Sequence, residues 1–131
     1  AELQRAVFEG LAYAIVDSLQ GYPQGGELYL TGGGAASATW LQIIADCTGR
    51  TVVSSTFNEL SARGAAILAA RSVDALSRYP ALEQTRYRPN PQAHSRYVAL
   101  YPVYRLLREQ MLPVWHARRE ALQRISQEQR I

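Results

Sequence analysis

The stretch Leu30-Thr31-Gly32-Gly33-Gly34-Ala35-Ala36-Ser37 decides the fold. It closes a short apolar segment, places three glycines in a row and leads directly into a helical pattern. Glycine accepts positive φ and has no side chain that would block a ligand. A helix start presents unpaired N–H groups and the positive end of the helix dipole. The stretch therefore fits two structures, a loop that binds a nucleotide or another anion, and a tight strand-to-helix turn without a ligand.

Strands and helices alternate on both sides of this loop. Apolar residues at three- and four-residue steps predict helices over 2–19, 36–48 and 59–77 and a helical region over 92–125. Strands are predicted over 27–31 and 51–54, two runs with strand-forming composition. Such alternation implies parallel pairing of the two strands through right-handed crossovers. Because two strands are few for a sheet, we expect more strands upstream in the intact protein, or a sheet completed by another chain.

Turn and breaker residues separate these elements. The segment 21–26 is rich in glycine and contains a proline, which predicts a break after the first helix. Pro80 and the stretch 87–91 predict a loop before the helical tail. Pro102 and Pro113 lie inside that tail, where they mark a kink or a restart of the helix. Ser37, next to the glycines, offers a hydroxyl near the first turn of its helix.

Composition excludes several classes of site. The chain has 131 residues, 47% of them hydrophobic, which is enough for a packed core. All 14 basic residues are Arg, so a Walker-type phosphate loop and Schiff-base catalysis by Lys are both excluded. Cys47 is the single cysteine, which excludes an internal disulfide and a Cys zinc cluster. The chain begins with Ala1 inside a predicted helix, so we expect it to be part of a longer protein.

The net charge of +3 is unevenly distributed, because residues 1–77 carry −3 and residues 78–131 carry +6. An Arg-rich tail is compatible with nucleic-acid binding. A solvated helix face is the favoured explanation, since the Arg residues are scattered and Arg105 and Glu109 stand at a spacing that permits local pairing.

Single candidate residues carry little chemistry. Packing roles are predicted for Cys47 and for the stripe of Tyr97, Tyr101 and Tyr104, for which a base-stacking surface is the alternative. Four further polar residues have no partner in the sequence at a spacing that would indicate catalysis or metal binding: Asp46, Glu59, His94 and His116. No metal-ligand cluster is visible, and we predict no metal site.

Four segments resemble the C-terminal part of FGGY-family carbohydrate kinases, within the actin-like ATPase superfamily. The segment 2–10 is similar to the end of the family's second signature. Residues 31–37 and the helix ending in Ala45-Asp46-Cys47-Thr48-Gly49 resemble its adenosine-binding segment. Glu59 with Arg63-Gly64-Ala65-Ala66 resembles its E-x-x-x-x-G-A-A helix, and Tyr87-Arg88-Pro89-Asn90-Pro91 with the helix to Trp115 resembles its C-terminal helix.

The resemblance implies an α/β fold, part of an actin-like ATPase (ribonuclease H-like) domain, with two short parallel strands, flanking helices and a long C-terminal helix. Residues 1–131 would be the C-terminal portion of the family's C-terminal domain, with an adenosine-binding α/β part over 1–77 and a loop and helical tail over 78–131. Further strands would precede the first strand, which exposes a sheet edge and predicts self-association.

The resemblance also implies ATP-dependent transfer of the γ-phosphoryl group to a sugar or polyol hydroxyl, with Mg²⁺ accompanying ATP. The nucleotide-binding residues would be Gly32, Gly33 and Gly34, with Ala35 and Ser37 less directly involved. Ala38 stands where glycerol kinases carry an Asn near the base, which weakens that assignment and leaves base contacts to the backbone or to apolar side chains. The catalytic Asp, the sugar pocket and both phosphate loops are expected N-terminal to this segment, so we predict no catalytic residue and no kinase activity in the chain alone.

Two other functions stay open at this point. A non-enzymatic α/β interaction module would use Gly32–Gly34 only as a structural turn, and a nucleic-acid binder would use the Arg-rich tail. The resemblance favours the kinase over both alternatives. We also expect no nucleic-acid or membrane partner and, given one free thiol and no export signal, a cytoplasmic location.

Overall fold

The glycine loop joins a strand of a small sheet to the central helix of the chain. The computed structural model describes residues 2–23, 25–55, 59–73, 75 and 81–128. Its helices are α1 (Glu2–Ser18), α2 (Ala38–Thr48), α3 (Leu60–Ser72) and α4 (Pro91–Glu128). Its strands are β1 (Leu28–Leu30), β2 (Val52–Ser55) and β3 (Gln84–Tyr87), and a 3₁₀ turn spans Gly33–Ala36.

The sheet has the order β1-β2-β3. Strands β1 and β2 are parallel, with Tyr29 opposite Val53, which confirms the predicted pairing. Strand β3 was not predicted, and it lies antiparallel to β2, with Arg86 opposite Val53. The expectation of two parallel strands is therefore corrected to a mixed sheet of three strands in the described part of the chain.

The missed strand overlaps the predicted loop, because Tyr87 is the last residue of β3. Its sequence Gln-Thr-Arg-Tyr contains a single apolar residue, so no hydrophobic pattern announces it. Cross-strand contacts hold it in place instead, since Arg86 Nε donates to Glu27 Oε1 at 2.9 Å. The loop predicted at Pro80 lies outside the described residues.

Helix α2 is the centre of the core. Leu41, Ile44 and Ala45 of α2 pack with Val52 of β2, and all four side chains are at most 1% exposed. The main helix–helix packing is between α1 and α2. Partly buried side chains surround this cluster: Ile15, Leu28, Leu30, Trp40 and Tyr87. Cys47 is buried in the same helix, as its predicted packing role requires.

Helix boundaries differ slightly from the prediction around the glycine loop. The predicted helix over 36–48 is a 3₁₀ turn followed by α2, with Ser37 as the N-cap between them. The Ser37 Oγ accepts a hydrogen bond from the Trp40 backbone N–H at 3.3 Å. Gly49 ends α2 with φ of 69°, the left-handed conformation that glycine adopts without strain. The predicted end of this helix at residue 48 is confirmed.

The described residues fall into two compact units that divide between Tyr97 and Val98. The second unit is the rest of α4, which is helical through both Pro102 and Pro113. Tyr101 and Tyr104 stack there with ring centroids 6.3 Å apart. Arg105 pairs with Glu109 at 3.7 Å, as the spacing predicted. Among the described helices, none is long and apolar enough to cross a membrane.

Candidate functional site

The glycine loop forms one side of a cavity of about 380 Å³. The backbone side of this glycine cavity consists of Gly33, Gly34, Ala36 and Ser37, and its apolar side consists of Phe8, Leu11 and Trp40. The volume falls within the range of small-molecule sites, which are mostly apolar with a few polar groups. Among the residues that the structure describes, no carboxylate lines this cavity. The arrangement therefore suits binding of a flat, largely apolar group and offers no general base.

Each glycine of the loop has a different role. Gly32 has φ of 85° and ψ of −172°, a conformation that is essentially restricted to glycine. A Cβ added to Gly33 would meet nothing within 4 Å, so this position opens the cavity. A Cβ on Gly34 would lie 3.6 Å from Nε1 of Trp40, in ordinary van der Waals contact. Gly32 thus sets the turn, while Gly33 and Gly34 face the cavity.

The structure brings together three of the five residues predicted from sequence: Gly33, Gly34 and Ser37. Gly32 shapes the loop without lining the cavity. Ala35 faces the sheet, since its carbonyl oxygen accepts from Ser54 Oγ at 3.3 Å. The 3₁₀ turn that starts at Gly33 is therefore anchored on β2.

The aromatic wall was missed by sequence reasoning. The rings of Phe8 and Trp40 lie with centroids 5.2 Å apart and their planes inclined at 37°. Trp40 is three residues beyond the N-cap of α2, whereas Phe8 comes from the middle of α1. Only the packing of α1 on α2 brings the two rings together, so no local sequence pattern could have indicated the pair.

A second cavity of about 370 Å³ shares residues with the first. Phe8 and Ser37 line both cavities, and the second is further lined by Gln4, Arg5, Thr39 and Ile43. Of the described residues in this lining, Arg5 alone is charged. Its guanidinium donates to Tyr97 and Glu9, and these hydrogen bonds raise the pKa of Arg5.

Two of the other candidate residues, Asp46 and His94, have structural partners. Asp46 Oδ1 accepts from Gln42 Nε2 at 2.8 Å and from the Asn90 backbone N–H at 2.7 Å. His94 Nδ1 lies 2.9 Å from the Asp46 carbonyl oxygen, so this nitrogen carries the proton. Glu59 immediately precedes α3 without capping it through its side chain. In the described part of the chain, no group of three or more His, Cys, Asp and Glu residues could hold a metal ion.

Cys47 and the buried tyrosines are not activated. Burial raises the pKa of the Cys47 thiol to about 12, so the thiol stays protonated and unreactive at neutral pH. Tyr97 is 6% exposed, which confirms the predicted packing role for this member of the stripe.

Comparison with known proteins gives a consistent result. The C-terminal domain of the FGGY family of carbohydrate kinases matches residues 1–73. A probable L-xylulose kinase of Pasteurella multocida is 31% identical over 82% of this chain, and the xylulose kinase of Escherichia coli is 34% identical over 86%. These alignments cover 23% and 25% of the two relatives, so the chain spans about a quarter of their length.

A solved structure supports the fold. Xylulose kinase from Lactobacillus acidophilus superposes with a TM-score of 0.73 over 84% of this chain and 24% of the other, at 22% identity. With the match to the family's C-terminal domain, these findings show that the chain belongs to the FGGY family of carbohydrate kinases.

Proposed function

We propose that this chain supplies the nucleoside end of the ATP site in a carbohydrate kinase. The observation that carries the proposal is the glycine cavity, in which bare backbone at Gly33 and Gly34 faces the aromatic wall of Phe8 and Trp40. A purine presents a flat apolar face, and aromatic rings bind such faces by stacking. Gly32 and Ala35 would contribute by shaping the loop, and Ser37 by its place at the cavity edge.

The whole protein would transfer the γ-phosphoryl group of ATP to a carbohydrate hydroxyl. Phosphoryl transfer depends on positioning and on electrostatic stabilisation of the phosphates, together with a group that accepts the hydroxyl proton. The glycine cavity has no carboxylate in its lining. The catalytic base would therefore come from another part of the polypeptide, and we expect the isolated chain to bind nucleotide without turning it over.

Magnesium would enter this reaction with the phosphates of ATP. The cavity linings offer it no carboxylate, and the described residues contain no cluster of metal ligands. The donor set in the described part of the chain does not fit a magnesium ion.

Xylulose is the first carbohydrate to test. Both relatives named above are described as xylulose or probable L-xylulose kinases. A coupled ADP-release assay on a polypeptide that contains this chain, supplied with ATP and either enantiomer of xylulose, would test the activity. Sugar-dependent ADP release is the expected result, and its absence with every ketose tried would contradict the proposed reaction.

Nucleotide binding by the chain itself is the direct test of the site. A Trp115→Phe background leaves Trp40 as the only tryptophan, so its fluorescence reports on the cavity. We expect adenosine and ADP to quench this emission and pyrophosphate to leave it unchanged. Gly33→Leu fills the open space beside Gly33 and should abolish the quenching. Equal responses of the Gly33→Leu variant and the parent would argue against the site.

Other expectations about the chain stay predictions. An open sheet edge at β1 and exposed apolar side chains on α1 support the predicted self-association. Charged residues of the tail pair with near neighbours on the same helix, as Arg105 does with Glu109. This pairing supports the prediction that the tail is a solvated helix face and binds no nucleic acid. A cytoplasmic location and the absence of a membrane partner are likewise proposed.

A further inference from the structure

A polar cluster links α1 to the beginning of α4. Tyr97 Oη donates to Glu9 Oε1 at 2.8 Å and accepts from Arg5 Nη2 at 3.3 Å. Arg5 Nε donates to the same Glu9 oxygen at 2.9 Å. A tyrosine hydroxyl has one proton to donate and lone pairs to accept with, so both hydrogen bonds form together. The three side chains therefore form a closed triangle of hydrogen bonds.

A second contact fixes the main chain of the same tyrosine. Tyr13 Oη donates to the Tyr97 carbonyl oxygen at 3.1 Å, and the two rings meet edge to face with centroids 6.0 Å apart. Arg5, Glu9 and Tyr13 follow at four-residue steps and therefore lie on one face of α1. Tyr97 is thus held by its hydroxyl, its ring and its carbonyl against this single face.

This face of α1 is directly coupled to the aromatic wall of the glycine cavity. Phe8 precedes Glu9 by one residue, which places it about 100° around the helix. Its ring packs on Trp40, and it lines both cavities, while Arg5 lines the second. Because a helix turns as a rigid body, any rotation of α1 that strains the Tyr97–Glu9 hydrogen bond also moves Phe8 relative to Trp40.

We propose that Tyr97 is a positioning residue for the nucleotide site: through Glu9 and Arg5 it fixes the rotation of α1 and so holds Phe8 against Trp40. Burial supports this role, since Tyr97 is 6% and Tyr13 8% exposed and water competes little for the hydrogen bond between them, whereas the Arg5–Glu9 pair reaches the surface. The consequence for nucleotide binding rests on the proposed function, whereas the consequence for the Phe8–Trp40 contact does not.

Replacement of Tyr97 by Phe tests the proposal with the smallest change in shape. The experiment uses the full chain in the Trp115→Phe background and measures acrylamide quenching of Trp40 fluorescence without ligand. Tyr97→Phe removes the hydrogen bond to Glu9 and the one from Arg5, so it should raise the quenching constant and weaken ADP binding about three- to tenfold. Tyr22→Phe, at an exposed tyrosine of the turn after α1, is the matched control and should change neither quantity.

A second variant covers the case in which Tyr97→Phe does not fold. Glu9→Gln keeps an oxygen that accepts from Tyr97 but removes the charge that holds Arg5, so a smaller change in the same direction is expected. The proposal would be overturned if both variants fold with a lower melting temperature but show the same Trp40 quenching as the parent. Tyr97 would then have only a structural role. A parent chain that binds no ADP, with Trp40 quenching raised in the variants, would contradict the proposed function and leave the positioning role supported.

Discussion

The carboxylate of Asp46 accepts a hydrogen bond of 2.7 Å from the backbone N–H of Asn90, and so joins α2 to the segment between β3 and α4. The same residue is 9% exposed and accepts a second hydrogen bond from Gln42. Asp46→Ala should therefore lower the free energy of unfolding by about 1.5–3 kcal/mol, the usual cost for a hydrogen bond to a charged group. Urea denaturation measures this free energy. Asp46→Asn keeps an acceptor oxygen and should therefore lose less stability than Asp46→Ala.

Gly49 lies against the ring of His94 at this same junction. A Cβ on Gly49 would approach His94 Cε1 to 2.6 Å, and the φ of 69° disfavours any side chain there. Because backbone strain and the clash add, Gly49→Ala should cost about 2–4 kcal/mol in the free energy of unfolding. Gly10→Ala, inside α1 with nothing within 4 Å of the added Cβ, is the control and should be stabilising or neutral. Equal midpoints in urea for the two variants would contradict this account.

Gly32 and Gly33 are neighbours with opposite expected responses to alanine. Gly32→Ala forces a side chain into a backbone region almost restricted to glycine and should cost about 1–3 kcal/mol of stability. Gly33→Ala meets open space and should change stability by no more than about 0.5 kcal/mol. Only the cavity is altered by the second change, so we expect weaker ADP binding in a stable protein. Calorimetric unfolding and ADP titration of both variants separate the two roles.

Local sequence patterns predicted the elements that bury their own apolar residues. Strands β1 and β2 and helix α2 follow this rule, although α2 begins two residues after its predicted start, beyond the 3₁₀ turn. Strand β3 escapes it, because Gln84–Tyr87 is held by pairing with β2 and by Arg86 on Glu27 rather than by apolar periodicity. Pairing between residues distant in the chain is invisible to a local pattern.

The sequence likewise predicted the local part of the candidate site and missed the part that depends on tertiary packing. The three glycines and Ser37 lie within six residues of one another in the sequence. Gly32 adopts a backbone conformation that is essentially restricted to glycine. The aromatic wall and the polar cluster depend on how helices pack, since Tyr97 and Glu9 are 88 positions apart. Their side chains acquire a role only when α1 lies against α2 and the beginning of α4.

Self-association should depend on the exposed apolar face of α1. Leu3 is 81% and Val7 54% exposed, and they stand four residues apart. Leu3→Glu combined with Val7→Lys removes this apolar surface and leaves the net charge unchanged. We expect a lower mass in light scattering at micromolar concentration. The same pair of charges at Ala65 and Ala69, exposed on α3, is the control. A parent chain that is already monomeric would count against the prediction.

Stability should fall as the pH rises from about 9 to about 12. Burial raises the pKa of Tyr13 and of Tyr97 from 10.0 to about 12, and that of Cys47 from 9.0 to about 12. In this window the unfolded chain loses these protons while the folded chain keeps them. The unfolded state therefore binds fewer protons, and the free energy of unfolding decreases with pH. The contribution of these three groups to the free energy of unfolding is complete at a pH below their pKa values in the unfolded chain. It is lost as the pH rises past their pKa values in the folded chain.

Urea denaturation at about pH 8 and about pH 11 measures this loss. Tyr97→Phe removes one of the three titrating groups, so its stability should fall less steeply over the same interval, although it starts from a lower value. Tyr22→Phe removes an exposed tyrosine and should keep the parent's slope. A Tyr97→Phe slope as steep as the parent's would show that ionisation of Tyr97 is not coupled to folding, because only groups with different pKa values in the two states contribute to the pH dependence.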